Sequence, residues 1–201
     1  EPPGLPVESE VRPGGVLALR LVPGDARGFL DERLLNRFAD ACATAVEPSI
    51  RVVVLEGARE GLFASGATSA EEPVSLAWAR RLAIEAWASL EATTVAVVRG
   101  ACLGSGVDLL LASDLVIAFP SATFAWADAQ PRAFGRRLPA AALAELFGRG
   151  DAIATERAVA NGLVDLVVRS EGELDARLRS LAGGDGEAFR RIKRVARESR
   201  R

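Results

Sequence analysis

Apolar positions along the chain alternate between short solid runs and longer one-faced stretches. Val16–Val22 (VLALRLV) and Arg51–Glu56 (RVVVLE) predict buried strands, the second from its β-branched run. Between them, apolar residues fall at 29, 30, 34, 35, 38, 41, 42, 45 and 46, the spacing of a helix with one buried face. Asp31 and Glu32 lie near its start, as the helix dipole prefers, and Pro48 ends it. Gly57–Thr68 reads as a loop with a short apolar insert, Leu62–Ala64, and Pro73 opens a long helix to about Glu91. Later come strands at Leu115–Ala118, Ala122–Ala125 and Val164–Val168. Helices are expected near Ala140–Phe147, Ala154–Asn161 (with Gly162 as a left-handed cap), Glu171–Ala182 and Glu187–Ser199. Solid apolar strands alternating with helices are the pattern of a parallel α/β domain covered on both faces. The expected organisation is an extended lead-in over residues 1–15, with a short strand at Val7–Val11, then a core over 16–170 and a helical segment over 171–201.

The middle of the chain carries the chemistry. Thr93–Asp114 (TTVAVVRGACLGSGVDLLLASD) predicts a strand at Val95–Val98, a glycine-bearing turn at Gly100, Gly104, Ser105 and Gly106, and a helix from Val107 to Ala112. A strand that passes through such a turn into a helix aims the helix's first free N–H groups, and its positive end, at one spot. That spot binds an anion or stabilises an oxyanion formed during reaction. Asp108 follows within the first helical turn. The bland alternative is a tight turn with no chemistry, since glycine punctuates turns everywhere.

Composition narrows the chemistry. The 201 residues are 49% apolar and 26% charged with net charge −2, a globular balance that gives no global field for nucleic acid. No apolar run reaches the ~20 residues of a membrane span, and EPPGLPVESE lacks the apolar centre of a signal peptide. A reducing cytoplasm is the default, with Cys42 and Cys102 as small buried hydrophobes rather than a disulfide. The chain has no His, which excludes a Ser–His–Asp or Cys–His nucleophile system and a His-based metal site. Acid–base work falls to Asp, Glu, Lys or Cys, or to backbone and water. The chain also has no Met and so no initiator residue, which implies processing, trimming or further residues.

Three stretches taken together resemble the crotonase superfamily, also called the enoyl-CoA hydratase/isomerase family. They are LEGAREGLFASGAT (Leu55–Thr68), VAVVRGACLGSGVDLLLASDLVIAFPSATFAWAD (Val95–Asp128) and ATERAVANGLVDLVV (Ala154–Val168). The resemblance implies an α/β spiral of ββα units with C-terminal helices. It implies a substrate that is an acyl thioester of coenzyme A or acyl carrier protein, no separate cofactor, and homotrimers or hexamers. It further implies two backbone donors to a thioester oxygen, the N–H groups of Ser65 and Ser105, flanked by Ala64, Gly66, Thr68, Gly104, Gly106 and Trp126 as the substrate-binding surroundings. Aimed donors of this kind are worth ~3–4 kcal/mol each in other oxyanion holes.

Asp108 and Asp128 (in FAWAD) fall where hydratases of the family keep their two catalytic glutamates. Each is one methylene short, and a misplacement of about 1 Å can cost ~100-fold in rate. Ser105 stands where the family has glycine, and Thr68 where it has aspartate; the FASG-x-T form looks more like decarboxylating crotonases acting on carrier-bound acyl groups. The leading expectation is therefore enoyl-thioester hydration or isomerisation, with Asp108 and Asp128 as acid–base groups. Decarboxylation of a carrier-bound acyl group is one alternative, and a non-catalytic homologue with a structural role is another. Both aspartates have a plain alternative as helix-start or loop-capping residues. Trp126 reads as core or pocket wall, Asp114 as a helix-end residue, and the basic tail from Arg190 to Arg201 as a solvated helix face, with contact to coenzyme A phosphates or an acidic carrier protein as the alternative.

Overall fold

The computed structural model describes residues 5–57, 61–66, 72–126, 138–139, 141–144 and 151–198. In chain order the elements are β1 (Val7–Arg12), β2 (Val16–Leu21), α1 (Glu32–Thr44), β3 (Val52–Gly57), β4 (Leu62–Ala64), α2 (Val74–Ser89), β5 (Thr93–Val98), β6 (Ala101–Leu103), α3 (Ser105–Leu111), β7 (Leu115–Ala118), β8 (Thr123–Ala125), β9 (Ile153–Ala154), α4 (Thr155–Ala160), β10 (Leu166–Val167), α5 (Glu171–Gly183) and α6 (Gly186–Glu198).

The strands form two sheets. The larger has the order β1-β2-β3-β5-β7-β10 and the smaller β4-β6-β8-β9. Strands β2, β3, β5, β7 and β10 run parallel, and β1 is an antiparallel edge. Three of the long strands are each followed by a short one in the other sheet, β3 by β4, β5 by β6 and β7 by β8. The first two pairs lead straight into helices α2 and α3, so the chain winds as ββα units.

Why the long strands are apolar throughout follows from the layers. Val53, Leu55, Leu17, Leu19 and Leu21 face a core shared with α1, α2 and α3. Val52, Val54, Val95, Val97 and Ile117 face the opposite way, onto Leu174, Leu178 and Ala182 of α5. Alternate side chains point to opposite faces of a strand, so a sheet covered twice needs apolar residues at every position. Helix α1 starts where Asp31 Oδ1 accepts from the Leu34 amide at 2.7 Å. It buries Leu34, Leu35, Phe38 and Cys42, and the Phe38 ring meets Trp87 of α2 at 5.7 Å between centroids. Truncating such a buried ring to Ala costs about 3–5 kcal/mol.

Some expectations hold and others change. The strand expected at Val7–Val11 is present as β1, and it ties the lead-in to the sheet by pairing with β2 from Val7↔Leu21 to Arg12↔Val16. The helical segment from 171 packs on the core, where α5 seals one face of the larger sheet. The glycine turn after β5 contains a strand, β6, and Leu62–Ala64 is strand β4 rather than a loop insert. Only residues 166–167 of the Val164–Val168 run are strand. Asp114 does not end a helix: its Oδ2 accepts from the Thr94 amide at 2.8 Å and hydroxyl at 2.9 Å. In the basic tail, Arg191 and Arg194 are exposed as expected, but Lys193 is buried. Cys42 and Cys102 are free, buried thiols, and Gly162 has the left-handed φ of +78°.

Candidate functional site

The loop after β4 and the N-terminus of α3 meet, as the two motifs require. Parallel pairing of β4 with β6 places Ala64 beside Cys102, immediately before the turn into α3. The contact that follows is too close for side chains on either glycine. A Cβ on Gly104 (φ +54°) would lie 1.6 Å from the Gly66 carbonyl oxygen, and a Cβ on Gly66 would lie 1.7 Å from Ser105 Oγ. Gly106 packs against Ala64, whose carbonyl oxygen would be 3.0 Å from an added Cβ. The Gly104 amide donates to the Ala125 carbonyl at 2.9 Å, which fixes the turn to β8 just before Trp126.

Asp108 lies one turn into α3 and is buried, with 5% of its surface exposed. Its carboxylate and, more strongly, burial push the Cys102 thiol well above its ordinary range. Cys102 therefore stays protonated and is no nucleophile. Ser105, the first residue of α3, is also buried.

The Ser65 donor is a correction. Its amide donates to the Gly28 carbonyl at 2.8 Å, and its carbonyl accepts from the Leu30 amide at 2.9 Å. A parallel bridge to Phe29 thus uses both backbone groups of Ser65, and no N–H remains there to meet a substrate. The Ser105 amide does point off the start of α3, and there it donates to the Gly66 carbonyl at 3.2 Å. Ala64 and Trp126 are buried in the main core, and Ser105 and Asp108 are buried as well. Thr68 and Asp128 lie outside the described residues.

Sequence reasoning missed the segment that holds the loop in place. Asp25 Oδ1 accepts from the Phe29 amide at 2.9 Å, and this bond holds the Asp25 carboxyl below its ordinary range. The same short segment presents the Gly28 carbonyl to Ser65. Its sequence signal, PGDARG, reads only as a turn.

Comparison with known proteins places this geometry. A family model described as enoyl-CoA hydratase/isomerase matches residues 13–184. Carnitinyl-CoA dehydratase of Proteus mirabilis is 31% identical over 145 residues, which are 65% of this chain and 56% of that protein. The matched stretch thus spans little more than half of that relative. A solved structure from Pseudomonas aeruginosa superposes with a TM-score of 0.84 at 29% identity, covering 97% of this chain and 92% of the other. An enoyl-CoA hydratase/carnithine racemase from Magnetospirillum magneticum shares the fold, with a TM-score of 0.86 at 22% identity over 96% of this chain and 81% of that one. With the ββα spiral, the glycine contact and the buried Asp108 in place, the chain belongs to the enoyl-CoA hydratase/isomerase (crotonase) family.

Proposed function

We propose that this protein binds an acyl thioester, of coenzyme A or of acyl carrier protein, and stabilises its enolate at the N-terminus of α3. The reading rests on one observation above all: Asp108 is a buried carboxylate on the same short helix that offers the Ser105 amide. An amide at the positive end of a helix stabilises negative charge on a thioester oxygen. A carboxylate one turn along can then move a proton at the neighbouring carbon. Enoyl-thioester hydration or isomerisation follows, with Asp108 as the acid–base group and Asp128 as its proposed partner.

Incubating the protein with a panel of enoyl and carboxyacyl thioesters, as coenzyme A and carrier-protein adducts, and weighing the products tests this directly. Gain of water, or conversion to a positional isomer of equal mass separated by chromatography, supports the reading. Loss of carbon dioxide would move the assignment to decarboxylation, and an unchanged panel would remove the enzymatic reading.

Homotrimers or hexamers remain part of the proposal. They are supported by an uncovered apolar stripe on α2, where Val74, Trp78 and Leu82 recur every fourth residue and are all exposed.

A further inference from the structure

The proposed oxyanion site is filled by the protein itself. The Ser105 amide donates to the Gly66 carbonyl at 3.2 Å, the long end of the normal range. A carbonyl oxygen there occupies the place of the thioester oxygen, because both need the same N–H. Two contacts hold it. Gly104 lies against the Gly66 oxygen on one side, and the Ser105 hydroxyl fills the space beside the Gly66 α-carbon on the other. Just upstream, Ser65 is pinned through both backbone groups to Gly28 and Leu30, so Gly66 is the first position after the bridge at which the chain can turn. Glycine accepts the alternative backbone angles that turning requires.

We infer that Ser105 is a positioning residue: its side chain braces the Gly66 carbonyl over the Ser105 amide, and an acyl thioester engages that amide only by displacing the carbonyl. This rests on the acyl-thioester reading above and adds a selectivity to it. A ligand must have a carbonyl able to outcompete an amide oxygen, so the cost of displacement falls on thioesters and spares ligands that lack the carbonyl. When the competent form is a minor population, apparent affinity drops by that fraction.

The test compares butyryl-CoA, a saturated thioester, with S-butyl-CoA, the thioether lacking the carbonyl, by calorimetric titration of the wild type, Ser105→Gly and Ser105→Cys. Ser105→Gly keeps the amide and removes the brace; Ser105→Cys keeps a brace of similar size. The wild type should favour the thioester only a few-fold. Ser105→Gly should raise that preference on the order of tenfold through the thioester alone, and Ser105→Cys should track the wild type.

An equal, clear thioester preference in all three proteins overturns the plug and leaves the oxyanion reading standing. No thioester preference in any of them, or no binding of either ligand, overturns the oxyanion reading and the plug together. A crystal structure with butyryl-CoA reads the exchange without a variant. The thioester oxygen should lie on the Ser105 amide with the Gly66 oxygen moved out of bonding range; a Gly66 oxygen still bonded to Ser105 in that complex would sink the inference.

Discussion

Lys193 of α6 reaches into the protein and donates to the Asp114 carboxylate between α3 and β7, and its ammonium also donates to the Ala92 carbonyl at 3.0 Å. The Lys193 side chain is 8% exposed and that of Asp114 22%. This pair joins the last helix to the start of β5, because the same Asp114 oxygen accepts from Thr94. Removing one partner of such a pair strands the other. Lys193→Ala should therefore destabilise the fold by about 3 kcal/mol, somewhat less than for a fully dry pair, with Lys193→Arg intermediate. Urea unfolding measures it; an unchanged midpoint would show that the pair does not hold α6.

Asp108→Asn keeps size and burial while removing the charge and most proton affinity. Thioester turnover should fall by at least ~100-fold, with the fold intact by circular dichroism. Retention of full turnover would reassign Asp108 to a packing role.

Burial pushes the Cys42 thiol from 9.0 up to about 12. The unfolded chain ionises first as pH rises, so the stability carried by the neutral native thiol is complete below about pH 9 and is lost between there and about pH 12. Cys42→Ala should flatten that part of the pH–stability curve while lowering stability at neutral pH. At pH 8, a thiol reagent should label neither Cys42 nor Cys102 in the folded protein; rapid labelling of either would contradict its burial.

Glu171 shows the opposite sign. Its carboxyl is held below the usual 4.5 chiefly by hydrogen bonds from Arg99, at 2.7 and 2.8 Å. Stability from this pair is present above about pH 4.5 and is lost as pH falls through the lowered native value. Thermal melts of Glu171→Gln and wild type should therefore converge on acidification. A constant gap from pH 6 to pH 3 would exclude the linkage.

Trp78 stands 58% exposed on α2, with the Arg81 guanidinium 5.9 Å from its ring. If the stripe it belongs to is an assembly surface, Trp78→Glu should shift sedimentation toward the single chain. Identical sedimentation of variant and wild type would place any interface elsewhere.

The long elements were legible because their patterns are local. The spacing from Leu30 to Ala45 specifies a one-faced helix wherever it packs, and RVVVLE can satisfy its side chains only in a doubly covered sheet. Strands β4, β6 and β9 were not legible as strands. With two or three residues each, they owe their extended state to neighbours in the smaller sheet. The site divides in the same way. The join between the loop at Gly66 and the turn at Gly104 could be read from glycines in sequence, but the direction of one amide could not. Whether Ser65 offers its N–H depends on the Gly28 carbonyl, from a turn that is distant in sequence and marked only by its Pro and Gly.

The order of the larger sheet also bears on how the protein is made. From β1 to β10 each strand lies beside an earlier neighbour in the chain, with none inserted between two already in place. A chain leaving the ribosome can thus lay each turn of the spiral against a finished edge, without holding a gap open for a later segment. Helices α5 and α6 are the exceptions: α5 folds back over Val52 and Val54, and α6 returns through Lys193 to Ala92 at the middle of the sheet. The nascent sheet can assemble by simple addition, and its closure waits for these two helices.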